Sequence, residues 1–235
     1  MGAHTVTAFD DDLGEIEGLV RDMVSLAGSM VDEATQSLII PDTALAQRVI
    51  SEDAVMDELQ RRLDDRAITL IGKRQPMAQD LRAIVGAIRM AGDLERIGDL
   101  AKNIAKRVDA VGQSSVPRAF ARSIEDMSEL VLEQVQGVID EYGARNPEGL
   151  VRLRDEDELV DVKYTSVFRE LLTYMMEDAR NITACTHLLF CAKNLERIGD
   201  HVTNIAENAY YVLTGEQLPA HRPKQDETGI PAPAV

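Results

Sequence analysis

The sequence predicts an all-α protein, built as two tandem antiparallel three-helix bundles related by an internal repeat. Three observations carry this reading. The 235 residues are 45% hydrophobic but only 4% aromatic, with no Trp. Aliphatic residues, Ala, Met and charged residues dominate, a mixture that favours helix over strand. Breaking residues are sparse and regularly placed, which leaves six long runs. Finally, "DLERIGDLAKNIAKR" (Asp93 to Arg107) returns 101 positions later as "NLERIGDHVTNIAEN" (Asn194 to Asn208), and nine of twelve positions are identical between Leu94–Ala105 and Leu195–Ala206. A motif present once in each half marks a duplication.

The elements follow in order. A first run covers about residues 9–39 and stops at Pro41-Asp42; a second covers about 43–73. In "KRQPMAQD", Pro76 is placed to open the third run, where its missing N–H does no harm. That run continues to about 110, and "VGQSSVPRAF" (Val111 to Phe120) breaks the chain near its middle. A fourth run reaches about 142, with Gly143 after its end and Asn146-Pro147 as cap and first turn of the fifth. The fifth ends near 176 at "MMEDARN", a corner without Gly or Pro, and the sixth near Gly215. Short connections imply antiparallel neighbours. The expected organisation is a first repeat over 1–112, a second over 113–214, and a polar, Pro-containing, disordered tail over 215–235.

The net charge is −16, from 41 acidic against 25 basic residues. Such a surface repels phosphate backbones and anionic membranes and suits cations or basic partner surfaces. Cys185 and Cys191 lie about 120° apart on one helix, so they read as buried free thiols of a reducing compartment. The first residues show no basic-then-apolar leader, and no apolar run approaches the ~18 residues of a membrane span. A cytoplasmic protein without membrane insertion is expected. No nucleophile–base pair is visible, and the chain reads as a non-enzyme.

On a helical wheel, Asp99 lies ~40° and Asn103 ~80° from Glu95, while Leu94, Ile97, Ala101, Ile104 and Val108 fall on the opposite side. Glu196, Asp200 and Asn204 repeat this geometry. The preceding helices carry a second pair at the same i, i+4 spacing: Asp53/Asp57, opposite Val55, Met56, Leu59 and Leu63, and Asp157/Asp161, opposite Leu159, Val160 and Val167. Folding each hairpin at about 74–75 and about 177 sets Asp53 and Asp57 level with about 96 and 92, and Asp157 and Asp161 level with about 197 and 193. Four carboxylates then gather on the outer face of each half. They must protonate, pair with Arg, or bind a cation. Oxygen-only donors suit Mg, Ca, Mn or oxidised iron.

At these residues the chain resembles the PhoU family of phosphate-transport accessory and signalling proteins. The likeness covers about residues 10–214 and rests on the two "LERIGD" segments, the "KRQP…DLR" stretch and "TYMMEDAR". It implies paired three-helix bundles whose E(D)xxxD motifs hold metal clusters: here Asp53/Asp57, Glu95/Asp99, Asp157/Asp161 and Glu196/Asp200, with Asn103 and Asn204 as weaker donors. The resemblance further implies divalent or trivalent ions (Fe, Mn, Mg, Zn or Ca). It also implies negative regulation of phosphate uptake and of the phosphate-starvation response. The implied partners are the ATPase subunit of the phosphate ABC transporter and a phosphate-sensing histidine kinase. A homo-oligomer, with a dimer favoured, is expected.

Two rival readings are a metal-free helical adaptor and a carboxylate-bridged di-metal oxidase. The second requires Glu-x-x-His aimed into the core, and Gly98 and Gly199 stand where His would be. His187 reads as a core or boundary residue, and His201 faces away from the carboxylates. Gly98 and Gly199 read as sites of close helix contact. The basic residues of the third helix do not cluster into a phosphate site.

Overall fold

The structure, a computed structural model, describes residues 2–112 and 118–218. Its helices are α1 (Gly2–Ile39), α2 (Thr43–Arg74), α3 (Gln79–Ala105), the short α4 (Val108–Gly112), α5 (Arg118–Gly143), α6 (Pro147–Glu177) and α7 (Ile182–Thr214), with a 3-10 turn at Ala179–Asn181. No strand occurs among the described residues. The all-α reading and the six long helices are thus found as expected. Of the expected break at Val111 to Phe120, Val111 and Gly112 belong to α4 and Arg118 to Phe120 to α5, while 113–117 lie outside the described residues, as does the expected 215–235 tail from 219 onward.

Local chemistry sets the boundaries. Asp42 caps α2, its Oδ1 accepting from Leu45 N at 3.0 Å. Asn146 does the same for α6, with Pro147 in the first turn and Gly149 N donating to Oδ1 at 3.3 Å. Two expected boundaries shift. Pro76 does not open α3: Gln75 takes left-handed backbone (φ 49°), Ala78 has a positive φ of 41°, and the helix starts only at Gln79. Gly143 is the last residue of α5, and the left-handed residue after it is Arg145. At the Gly-free corner, Asp178 Oδ1 accepts from Arg180 N at 2.9 Å and turns the chain through the 3-10 segment.

These wider turns change the hairpin register. Asp53 reaches Lys102 on α3, not position 96, and Asp157 lies against Gly199, not position 197. The shift is larger in the first hairpin than in the second, and in both it preserves the facing pairs while changing which partner each acid meets.

α2 packs on α1 and α3, and α6 packs on α5 and α7; α1 against α5 and α3 against α7 join the halves. The α3–α7 pair is antiparallel. Gly86 lies at Val212, Asp93 Oδ1 bonds His201 Nδ1 at 2.9 Å and Asn204 Nδ2 at 3.3 Å, and Arg107 meets His187 Nδ1 at 3.1 Å. The duplicated segments therefore run back to back. Leu94, Ile97, Ala101 and Ile104 join Leu195, Ile198, Val202 and Ile205 in one hydrophobic core that also takes in Met23, Met30, Met127 and Val131. Both cysteines are buried, and desolvation pushes the Cys191 thiol up to about 12, so it stays protonated. Val55 and Leu159, assigned above to apolar sides, instead point to solvent, because α2 and α6 each touch the core with a narrower stripe.

A Cβ on Gly86 would overlap Val212 Cγ2, the end of a stiff β-branched side chain. Helix propensity alone would make Gly86→Ala stabilising by about 1 kcal/mol. Overpacking is expected to reverse that sign, with a net loss of about 1 kcal/mol in urea denaturation. A stabilised variant would show that α3 and α7 do not approach this closely.

Candidate metal centre

In the first half, α2 and α3 bring the four expected carboxylates together. Asp53, Asp57 and Asp99 all act electrostatically on Glu95. Burial, the largest influence, raises the Glu95 carboxyl; Arg96 opposes that, and the three neighbouring acids add to it. The repulsion is answered from within the chain. Lys102 Nζ lies 2.6 Å from Asp53 Oδ2 and 2.6 Å from Asp99 Oδ1, bridging two helices. Its hydrogen bond, ahead of all other influences, holds the Asp99 carboxyl below the usual range. Burial alone would lower the Lys102 ammonium, but Asp53 and Asp99 outweigh it and raise it. Arg96 adds looser contacts, 3.3 Å to Glu95 and 3.5 Å to Asp99.

The second half has the same residue types in a different setting. Asp157 and Asp161 are each 2% exposed and Glu196 4%. The expectation of an outer, solvated face fails here: α5 packs beside α6 and α7, and the acids sink between them. Asp161 and Asp200 act on Glu196, whose carboxyl is raised mainly by burial; Lys193 opposes this, its Nζ 2.8 Å from Oε1. Glu196 Oε2 is buried and has no hydrogen-bond partner. Gly199 explains how Asp157 fits. A Cβ there would stand 2.7 Å from Asp157 Oδ1 and 3.6 Å from Gln134 Oε1. The equivalent Gly98 faces only Met56 and Met30. Both glycines serve close contact, as expected, but only the second is lined by oxygen.

Lys102 and Gln134 are the functional neighbours that sequence reasoning missed. Lys102 was visible three residues after Asp99. Gln134 comes from a separate helix, and no local pattern points to it. His201 bonds Asp93 and faces away from the carboxylates, as expected. Arg89 and Arg96 line an open groove of about 710 Å³ between α3 and α7, but Asp93, Glu95 and Glu207 outnumber them. That balance disfavours free phosphate there.

The donors fit hard cations in kind: all are oxygens, Glu196 Oε2 is an orphaned buried acceptor, and Gly199 leaves a cradle beside Asp157. They are not drawn into a cage. Among the described residues, no group of three or more His, Cys, Asp or Glu side chains converges as ligands. Occupancy would require the carboxylates to rotate inward.

These features define a duplicated six-helix protein that carries a carboxylate cluster in each half. The family model for the PhoU domain matches residues 20–108 and 124–209. The chain is 55% identical over 226 residues to a phosphate-specific transport system accessory protein PhoU homolog of Rhizobium meliloti (strain 1021), covering 96% of this chain and 95% of that one. It is 45% identical to the protein of the same description from Caulobacter vibrioides (strain NA1000 / CB15N), covering 96% and 98%. The crystal structure of PhoU from Pseudomonas aeruginosa superposes with a TM-score of 0.83 at 32% identity, covering 88% of this chain and 100% of that one. The chain belongs to the PhoU family.

The raised Glu196 and the lowered Asp99 predict opposite pH signatures. A carboxyl raised by folding binds its proton more tightly in the folded chain, so ionised Glu196 costs stability above its ordinary value of 4.5. Metal-free Glu196→Gln is expected to melt higher than the parent at pH 7, the gain vanishing below 4.5. Asp99 is depressed, so it contributes stability above 3.8 that is lost as pH falls through its lowered value. Asp99→Asn is therefore expected to melt lower at pH 7 and to match the parent in acid. Thermal melts of both variants across pH check this; like-signed changes would contradict it.

Proposed function

We propose that this chain is a regulatory adaptor of phosphate transport. In this reading it restrains phosphate uptake and the phosphate-starvation response, and links the ATPase subunit of the phosphate ABC transporter to a phosphate-sensing histidine kinase. Family membership supports the transport connection, as do the relatives described as phosphate-specific transport system accessory proteins. The observation that carries the adaptor reading is a platform of long helices bearing two carboxylate clusters, one in each half. No helix among the described residues is long and apolar enough to cross a membrane, which suits work at a membrane transporter from the cytoplasmic side. A net charge of −16 suits docking on basic partner surfaces. A homodimer is part of this proposal.

The clusters are proposed to hold hard cations through Asp53, Asp57, Glu95, Asp99, Asp157, Asp161, Glu196 and Asp200. A bound ion would supply positive charge that relieves carboxylate repulsion and ties neighbouring helices together. The chain's own residues orient the donors: Gly199 admits Asp157, and the i, i+4 spacing stacks each acid pair on one helix face. A metal-free platform is the second reading, favoured in the first half by Lys102, which already neutralises Asp53 and Asp99.

Deleting the gene is expected to derepress a phosphate-starvation reporter at high phosphate; a reporter that stays repressed would refute the regulatory reading. Elemental analysis of untagged protein purified without chelator is expected to find bound metal that Asp161→Asn with Glu196→Gln removes. Metal-free parent protein would leave the platform reading standing alone.

A further inference from the structure

α6 carries a stripe of side chains that its own chain leaves uncovered. Leu159, Val162, Ser166, Arg169, Thr173 and Met176 are all exposed, and they recur at alternating steps of three and four residues. That is the seam spacing of two helices wound around each other. Leu159 is 55%, Val162 48% and Met176 85% exposed, and the half-exposed Leu172 flanks them. None of the six is acidic, in a chain of net charge −16.

The internal repeat supplies a control. Asp53/Asp57 on α2 correspond to Asp157/Asp161 on α6, and at that offset the six seam positions become Val55, Glu58, Arg62, Asp65, Thr69 and Gly72. These are exposed too, but charged residues fill their centre, as on an ordinary solvated helix face. An apolar seam in one half alone is therefore not a requirement of the bundle that both halves build.

We propose that the outer face of α6 is a homodimer interface: it pairs antiparallel with α6 of a second copy of this chain, about a two-fold axis level with Val167 and Phe168. This inference rests on the homodimer proposed above and assigns it a surface.

Seam and flanks agree on the register. With the axis at that level, Leu159 meets Met176 of the second copy, Val162 meets Thr173 and Ser166 meets Arg169, each pair formed twice by symmetry. Lys163 and Glu170 border the seam on one side. Matching flanks meet in an antiparallel pair, so Lys163 of each copy faces Glu170 of the other. Sliding the helices by one heptad sets Lys163 against Lys163 in one direction and Glu170 against Glu170 in the other. Like charges thus oppose the neighbouring registers. Both flanking residues are already steadied from α5: Lys163 Nζ lies 2.6 Å from Asp126 Oδ2, and Glu170 Oε2 accepts from Ser123 Oγ at 3.3 Å. Ser166 Oγ, in the seam itself, donates to Glu170 Oε1 at 3.1 Å. The seam runs about 26 Å along α6. Three of its six positions are polar, so association is expected to be reversible rather than obligate.

Sedimentation velocity over a concentration series tests this. The parent is expected to pass from monomer to dimer as concentration rises. Leu159→Glu with Val162→Glu is expected to weaken association about tenfold or more, while Val55→Glu on α2 leaves it unchanged. Lys163→Glu sets like charges against each other and should weaken the dimer; adding Glu170→Lys should restore it, which a folding defect would not do. Leu159→Cys with Met176→Cys should give a disulfide-linked dimer on mild oxidation. Those two sites are too far apart on one helix to bridge within a chain, and Cys185 and Cys191 are buried. Circular dichroism checks that each variant keeps the helix content of the parent. A dimer that survives Leu159→Glu with Val162→Glu, or a charge swap that fails to restore association, would overturn this surface and leave the homodimer standing. A parent that stays monomeric throughout would overturn both. Loss of reporter repression by Leu159→Glu in that monomer would give the stripe to a different protein.

Discussion

The antiparallel crossing of α3 and α7 is the constraint on which the rest depends. Each helix carries one copy of the duplicated segment, and the apolar stripes of both copies are buried in the common core. With those stripes turned inward, the acids of each copy are turned outward, toward α2 on one side and α6 on the other. One packing decision thus fixes where both clusters form. It also joins the halves: Asp93 reaches across to His201 and Asn204, and Arg107 to His187 and the Phe190 ring, so the crossing carries polar ties as well as apolar ones. Helices crossing at such close quarters tolerate little added volume, because interiors are packed as densely as organic crystals.

The clusters pose one electrostatic problem in two environments. Carboxylates stacked on adjacent helices repel, and the repulsion grows as water is excluded. In the first half the acids stay partly solvated and a lysine from the next turn bridges them. In the second, α5 covers them, and Glu196, raised by burial as Glu95 is, lies at 4% exposure. Duplication explains the shared spacing. Divergence of the covering residues explains how copies alike in sequence become unlike in chemistry.

Much of the fold was legible from the residues. The repeated "LERIGD" segments, the Asn146-Pro147 cap and the sparse breakers yielded the helices, their order and the all-α class, because caps, breakers and a 3.6-residue period are local signals. The pairing of Asp53/Asp57 with Glu95/Asp99, and of Asp161 with Glu196 and Asp200, was legible from spacing and short turns. The register was not. Positive-φ residues at Gln75 and Ala78 lengthened one turn and a 3-10 segment lengthened the other, each moving the facing partner, the first further than the second.

What the sequence by itself determined is therefore the set of donors and their place on each helix, since i, i+4 spacing on a helix is a property of the chain alone. Only the tertiary structure decided how deep each donor lies and what charge meets it. Asp157 and Glu196 are buried because a third helix lies over them, and Lys102 is a bridge because Asp53 happens to stand across from it. Burial and counter-charge depend on neighbours distant in sequence, and no wheel drawn for one helix contains them.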